Sequence, residues 1–123
     1  MNGQIQKYRK FWSNINSNTH DFTRAEEWAK MLKAGLKKEP ALATSLGIDE
    51  EIINKRLHSI ALRRGLQLLN YLRTNGRYIP AAQAQADTRH IKSMIEKGIL
   101  SYGDLQTSDK ELALLAAGNR PRN

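Results

Sequence analysis

The chain has 123 residues, with 20 Lys+Arg against 12 Asp+Glu for a formal net charge of +8, and no cysteine. Such a length fits one domain that buries about two thirds of its unfolded surface. The missing cysteines exclude a disulfide framework, a thiolate nucleophile and a Cys-type zinc site. The opening residues lack the apolar run of a signal peptide, and no stretch approaches the roughly 18 apolar residues of a membrane span, so a cytoplasmic protein with no membrane contact is expected.

Prolines number three and β-branched residues other than isoleucine are sparse, so strand signals are poor. Ile5, Tyr8, Phe11, Trp12 and Ile15 recur at helical spacing and predict a first amphipathic helix over 4–16. A polar break follows over 16–21. Thr23 and Glu26 have the spacing of a capping box and open a second helix reaching Lys38, with Ala25, Trp28, Met31, Leu32 and Leu36 on its buried face. Pro40 suits the first turn of a short third helix that stops at Gly47.

Asp49 caps a fourth helix, with Glu50 and Glu51 in the first turn, where the helix dipole favours negative charge. This helix runs to Arg73 and ends at Asn75-Gly76. Gly65 interrupts it at about 1 kcal/mol relative to alanine, marking either a close packing contact or a break. Ile79-Pro80 opens an alanine-rich turn over 81–86, and Asp87 or Thr88 caps a helix carrying Ile91, Met94 and Ile95 up to Gly98. Ser108 and Glu111 form a second capping box before Leu112–Ala117, and residues 119–123 form a basic tail. The expected architecture is all-α and a single domain over 1–118. It is a compact bundle of six to seven short helices around one long central basic helix.

Between Glu51 and Asp87 the sequence has no acidic residue, yet it carries Lys55, Arg56, His58, Arg63, Arg64, Arg73 and Arg77. At about 100° per residue, Lys55, Arg56, Ser59, Arg63, Gln67, Asn70 and Arg73 fall within a wedge of about 120° on the fourth helix. Ile53, Leu57, Ile60, Ala61, Leu68 and Leu72 lie on the other side, and Arg64 projects onto the apolar side. A solvated face usually interleaves Glu with Lys at i, i+4, and this stretch offers no such acid. An acid-free basic stripe of this kind suits a polyanion. Arginine supplies forked donors for phosphate, and Asn and Gln add base or ribose contacts. Arg89, His90 and Lys92 form a second basic cluster.

Leu42, Ala43, Leu46, Gly47, Ile48 and Ile53 have the spacing of a helix-turn-helix: a small residue where helices cross, glycine for a left-handed turn, then aliphatics that close the core. The front of the second helix of such a unit enters the major groove. Here it is Asp49-Glu50-Glu51, which repels phosphates, so any contact is expected further along the helix. The run 88–100, ending Leu100 after Gly98-Ile99, resembles the recognition helix of winged-helix regulators. His58-Ser59, Arg63-Arg64-Gly65-Leu66 and Leu68-Leu69-Asn70-Tyr71-Leu72 look like a rearranged motif of small-subunit ribosomal protein fifteen. Residues 40–52 and 62–78 are similar in rhythm to the FinO/ProQ RNA-chaperone domain. None of these resemblances assigns the chain to a family, and the latter two keep RNA in view as a partner.

His20, His58 and His90 lie far apart, with no carboxylate or second ligand at metal spacing. The sequence has no glycine-rich phosphate loop, nucleophile elbow or paired carboxylates, so neither catalysis nor a metal nor a cofactor is expected. The reading is a small nucleic-acid-binding regulator or accessory factor, with DNA slightly ahead of RNA. Its site comprises Lys55, Arg56, Ser59, Arg63, Gln67, Asn70, Arg73, Arg77, Arg89 and Lys92. The competing reading is a helical adaptor docking on an acidic protein, with Phe11, Trp12 and Trp28 as anchors, and the sequence leaves room for a homodimer.

Overall fold

Helical periodicity carries through to the structure, a computed structural model that describes residues 2–17, 21–74 and 80–117. The protein is all-α, with seven helices and no strand among the described residues. They are α1 (Asn2–Ser17), α2 (Phe22–Lys38), α3 (Ala41–Leu46), α4 (Glu50–Thr74), α5 (Ala81–Glu96), α6 (Tyr102–Leu105) and α7 (Asp109–Ala116). They fall into two compact units, Met1–Ile60 and Ala61–Asn123, with α4 supplying its first turns to one and the remainder to the other. His20, the Asn75-Gly76 helix stop, Arg77, Ile79 and the 119–123 tail lie outside the described residues.

In the first unit α1 packs on α2 and α3, and α2 packs on α3. Ile15, Phe22, Ala25, Ala29, Leu32, Leu42, Ile48 and Ile53 form its core. Gly35 lets the Tyr8 ring lie directly on the α2 backbone, in space that a Cβ would occupy. The cap of α2 is Asp21 rather than Thr23: the backbone N–H of Arg24 donates to Asp21 Oδ1 at 3.1 Å. Asp21 has the extended backbone that a cap needs, and its charge adds a favourable interaction with the helix dipole, whereas Thr23 already sits inside the first turn.

Met31, expected in the core, is 46 % exposed. Trp28 is half-buried, with the Arg24 guanidinium 5.9 Å from its ring centroid. Alanines 25 and 29 fill the inner face of α2 instead, which narrows its apolar arc. Gly47 closes α3 in the left-handed region at φ 70°, and the Ile52 N–H then donates to Asp49 Oδ1 at 2.9 Å to start α4.

In the second unit α5 packs on α7, around Leu68, Leu69, Ile91, Met94, Leu105 and Leu112. Helix α4 passes through Gly65 without a break, which decides between the two sequence expectations for that glycine. A Cβ at this position would lie 2.8 Å from Leu105 Cδ2, so the absent side chain is a notch for α6. The turn expected over 81–86 is instead the start of α5. Pro80 presets the first turn, and the Ala-Gln run has high helix propensity, so no separate cap at Asp87 or Thr88 is needed. Thr88 is buried in mid-helix, and its hydroxyl donates to the Ala84 carbonyl at 2.7 Å.

Sequence periodicity did not foresee α6, although its cap is plainly written. Asp104 N–H donates to Ser101 Oγ and Ser101 N–H to Asp104 Oδ2, each at 3.0 Å. Ser108 Oγ accepts from the Glu111 N–H at 3.1 Å and opens α7 as expected. The segment after α5 is therefore helical, and no wing follows α5 among the described residues.

The notch sets a stability test. Overpacking a core costs about 1–3 kcal/mol, while glycine to alanine in a helix gains about 1 kcal/mol. Leu105 is wholly buried and has little room to yield. Gly65→Ala is expected to lower stability by about 1 kcal/mol, a melting-temperature drop of roughly 4 °C; a variant that melts higher than the wild type contradicts the notch.

Candidate nucleic-acid interface

The apolar residues that α4 gives to the two cores leave one strip of its circumference in solvent. In the first unit that strip carries Lys55 and Ser59, both exposed. In the second it carries Arg63, Gln67 and Asn70, also exposed. Arg63 makes no hydrogen bond or ion pair among the described residues. Leu66 is 40 % exposed beside them, Leu62 is half-buried and Leu69 is in the core.

The remaining cations of the stripe are engaged within the chain. Lys55 Nζ lies 3.3 Å from Glu51 Oε1, an i, i+4 pair of the kind the sequence gap suggested was missing; Glu51 bounds the gap and reaches into it. Both side chains are about three quarters exposed, so the pair contributes only a few tenths of a kcal/mol. Arg56 is half-buried, and its Nη2 donates to the Asn16 carbonyl at 2.9 Å. That carbonyl belongs to the last turn of α1, where intrahelical partners run out and the dipole favours a cation. Arg56 Nε is buried without a partner among the described residues.

Arg73 Nε donates to Glu111 Oε1 at 2.8 Å, and its Nη2 reaches the Gln106 carbonyl at 3.5 Å. Glu111 also accepts from the Thr107 hydroxyl at 2.6 Å. Arg64, the residue that did not fit the wedge, forms an ion pair with Asp87, which accepts a second hydrogen bond from Gln83 Nε2 at 2.9 Å. Both acids come from later in the sequence, so the acid-free gap is neutralised in part by residues that local spacing could not connect to it.

Arg89 is exposed and Lys92 is half-buried. Arg89 lies about 200° around α5 from Asp87, so it points away from the side that meets Arg64. Arg89 and Lys92 therefore form a surface of their own. His58 and His90 are half-buried and have partners within the chain. No cluster of three or more His, Cys, Asp or Glu side chains among the described residues could hold a metal ion, and no described helix is long and apolar enough to cross a membrane.

The front of α4 borders a shallow depression of about 210 Å³ in the first unit, lined by Lys33, Lys37, Asp49 and Glu50 over an apolar floor of Leu36, Pro40 and Ala43. The two lysines place positive charge opposite the acidic front of the helix. No protein-family profile, curated protein or solved structure matches this chain.

Three groups have perturbed acidities that follow from such contacts, and the hydrogen bond to Glu111 raises the pKa of the first, Arg73. The hydrogen bond to Asp109, 2.9 Å long, raises the pKa of the Tyr102 hydroxyl. Hydrogen bonds from Arg73 and then Thr107 hold the Glu111 carboxyl at about 2, against an ordinary 4.5. A carboxyl whose folded pKa is depressed stabilises the fold above its unfolded pKa and loses that contribution as the pH falls. The urea midpoint of unfolding is therefore expected to drop between pH 4.5 and 2. Glu111→Gln should make that drop shallower, and a profile identical to the wild type would show that the Arg73–Glu111 bond does not couple to folding.

Proposed function

We propose that this chain binds nucleic acid through phosphate contacts and catalyses no reaction on it, as a small regulator or accessory factor. One observation carries the reading: in a chain of net charge +8, the solvent strip of α4 beyond Glu51 displays Arg63, Gln67 and Asn70 and no acid. Arg63 supplies a forked, weakly hydrated cation for a phosphate. Gln67 and Asn70, one and two turns on, supply donors and acceptors for sugar, phosphate or base edges. Lys55 and Ser59, exposed in the first unit, offer a contact of their own. Arg56 and Arg73 spend donors on α1 and α7, so their first duty is to hold the fold. Arg89 and Lys92 form a separate contact, and Arg77 lies outside the described residues.

The preference for duplex DNA over RNA rests on the sequence spacing of a helix-turn-helix at the α3–α4 corner, and the left-handed Gly47 with the buried Leu42, Ile48 and Ile53 supports that reading. The carboxylates of Glu50 and Glu51 keep phosphates from the first turn of α4 and move the contact toward its middle.

Titration of a fluorescent duplex DNA, duplex RNA and single strand in parallel tests both levels. Binding is expected to weaken steeply between roughly 50 and 200 mM salt, as counterion release requires. Arg63→Glu should weaken it about fivefold at low salt and reduce the salt slope by about 1. Absence of binding at low salt, or binding indifferent to salt, would sink the proposal; RNA bound more tightly than DNA would overturn only the preference between them.

A further inference from the structure

On α4 the basic residues either answer to a group within the chain or stand singly, and on α5 Arg89 and Lys92 form a pair; α1 carries a group of three. Residues 1–20 contain no Asp or Glu, yet α1 carries Lys7, Arg9 and Lys10, all exposed and without a hydrogen bond or ion pair among the described residues. Lys7 and Lys10 are spaced i, i+3 and repel each other on one face of the helix. None of the three lies in the last turn of α1, where the dipole would favour a cation.

Lys33, Lys37 and Lys38 of α2 have what these lack. Lys37 and Lys38 sit in the last turn of α2, and Lys33 and Lys37 line the depression that also holds Asp49 and Glu50. Arg24 lies over Trp28, and Lys55 is paired with Glu51. No comparable compensation for the α1 trio exists among the described residues.

The rest of the solvent face of α1 has the same character. Gln4, Gln6, Ser13 and Ser17 are exposed around the three cations. Hydroxyl and amide side chains of this type, interleaved with Lys and Arg, are the donors that phosphate and sugar oxygens receive in nucleic-acid complexes. The inner face of the helix is fixed by Ile15 in the core, Tyr8 against Gly35 and Arg56 on the Asn16 carbonyl. The polar face is thus held in one orientation and not shared with the core.

We infer that the exposed arc of α1, centred on Lys10 with Lys7 about 60° to one side and Arg9 about 100° to the other, is a nucleic-acid backbone site in its own right. The partner is a phosphodiester strand, read through its phosphates and not its bases. This rests on the nucleic-acid reading of the chain but assigns the main electrostatic contact to a different helix in the first unit.

The test compares three full-length variants with the wild type on one labelled duplex and one labelled single strand, from roughly 50 to 200 mM salt. Lys7→Gln/Arg9→Gln/Lys10→Gln should reduce the salt slope by about 2–3 and the low-salt affinity at least tenfold, as loss of three phosphate contacts requires. Lys33→Gln/Lys37→Gln/Lys38→Gln removes the same net charge and should leave the slope near the wild type. Lys7→Arg/Lys10→Arg should retain binding, which separates loss of charge from loss of fold, with far-ultraviolet circular dichroism as a check. Equal losses in the two glutamine triples would reduce the effect to bulk charge and overturn the inference. A wild-type slope in the α1 triple, with a reduced one in Arg63→Glu, would overturn it while leaving the proposed function standing; no binding by the wild type would remove both.

Discussion

Helix α4 has to feed apolar side chains to two cores along one unbroken rod, and most of the structure follows from that constraint. Ile53, Leu57 and Ile60 go to the first unit, and Ala61, Leu68, Leu69 and Leu72 to the second. With so much of the circumference committed, the charged residues are forced either into the narrow solvent strip or to the edges of the cores. Those at the edges need partners, because a guanidinium that leaves water without one is costly. Arg56, Arg64 and Arg73 each find theirs on another helix of their own unit. The arginines of α4 are thus mainly fasteners, the exposed Arg73 included, and Arg63, which has no partner among the described residues, is the exception.

This division of labour changes where a polyanion would be met. A run of basic residues in a sequence records charge but not whether that charge is already spent. On α4 most of it is spent on Glu111, Asp87, Glu51 and the end of α1. On α1 it is not. A phosphate backbone approaching the chain gains most where the cations have nothing to give up in exchange.

Wherever short-range physics decides, the sequence was legible. Apolar spacing located α1, a capping signal announced α2, Pro40 and Gly47 bracketed α3, Asp49 opened α4, and Ser108 opened α7. Where two local signals competed, the wrong one was easily chosen. Asp21 outbid Thr23 as a cap, and the alanine run after Pro80 became helix because propensity outweighed the turn signals around it. The partners of Arg64 and Arg73 were not legible, since Asp87 and Glu111 are separated from them by 23 and 38 positions. The notch at Gly65 was half legible: glycine allowed a close approach, but only the fold names Leu105 as what approaches. The acid-free character of α1 was present in the sequence all along, hidden by the longer gap on α4.

The caps of α6 and α7 bear on motion. With 4 and 8 residues, both helices fall short of the about 12–15 residues at which a helix begins to sustain itself in water. They persist because Ser101, Asp104 and Ser108 satisfy their first backbone donors and because Leu105, Leu112 and Leu115 are buried. Segments held in this way open at a free energy below that of the whole domain. When α6 lifts, Leu105 leaves the Gly65 notch and exposes α4 backbone in the middle of its length. The second unit thus holds a short, cap-dependent helix directly against α4.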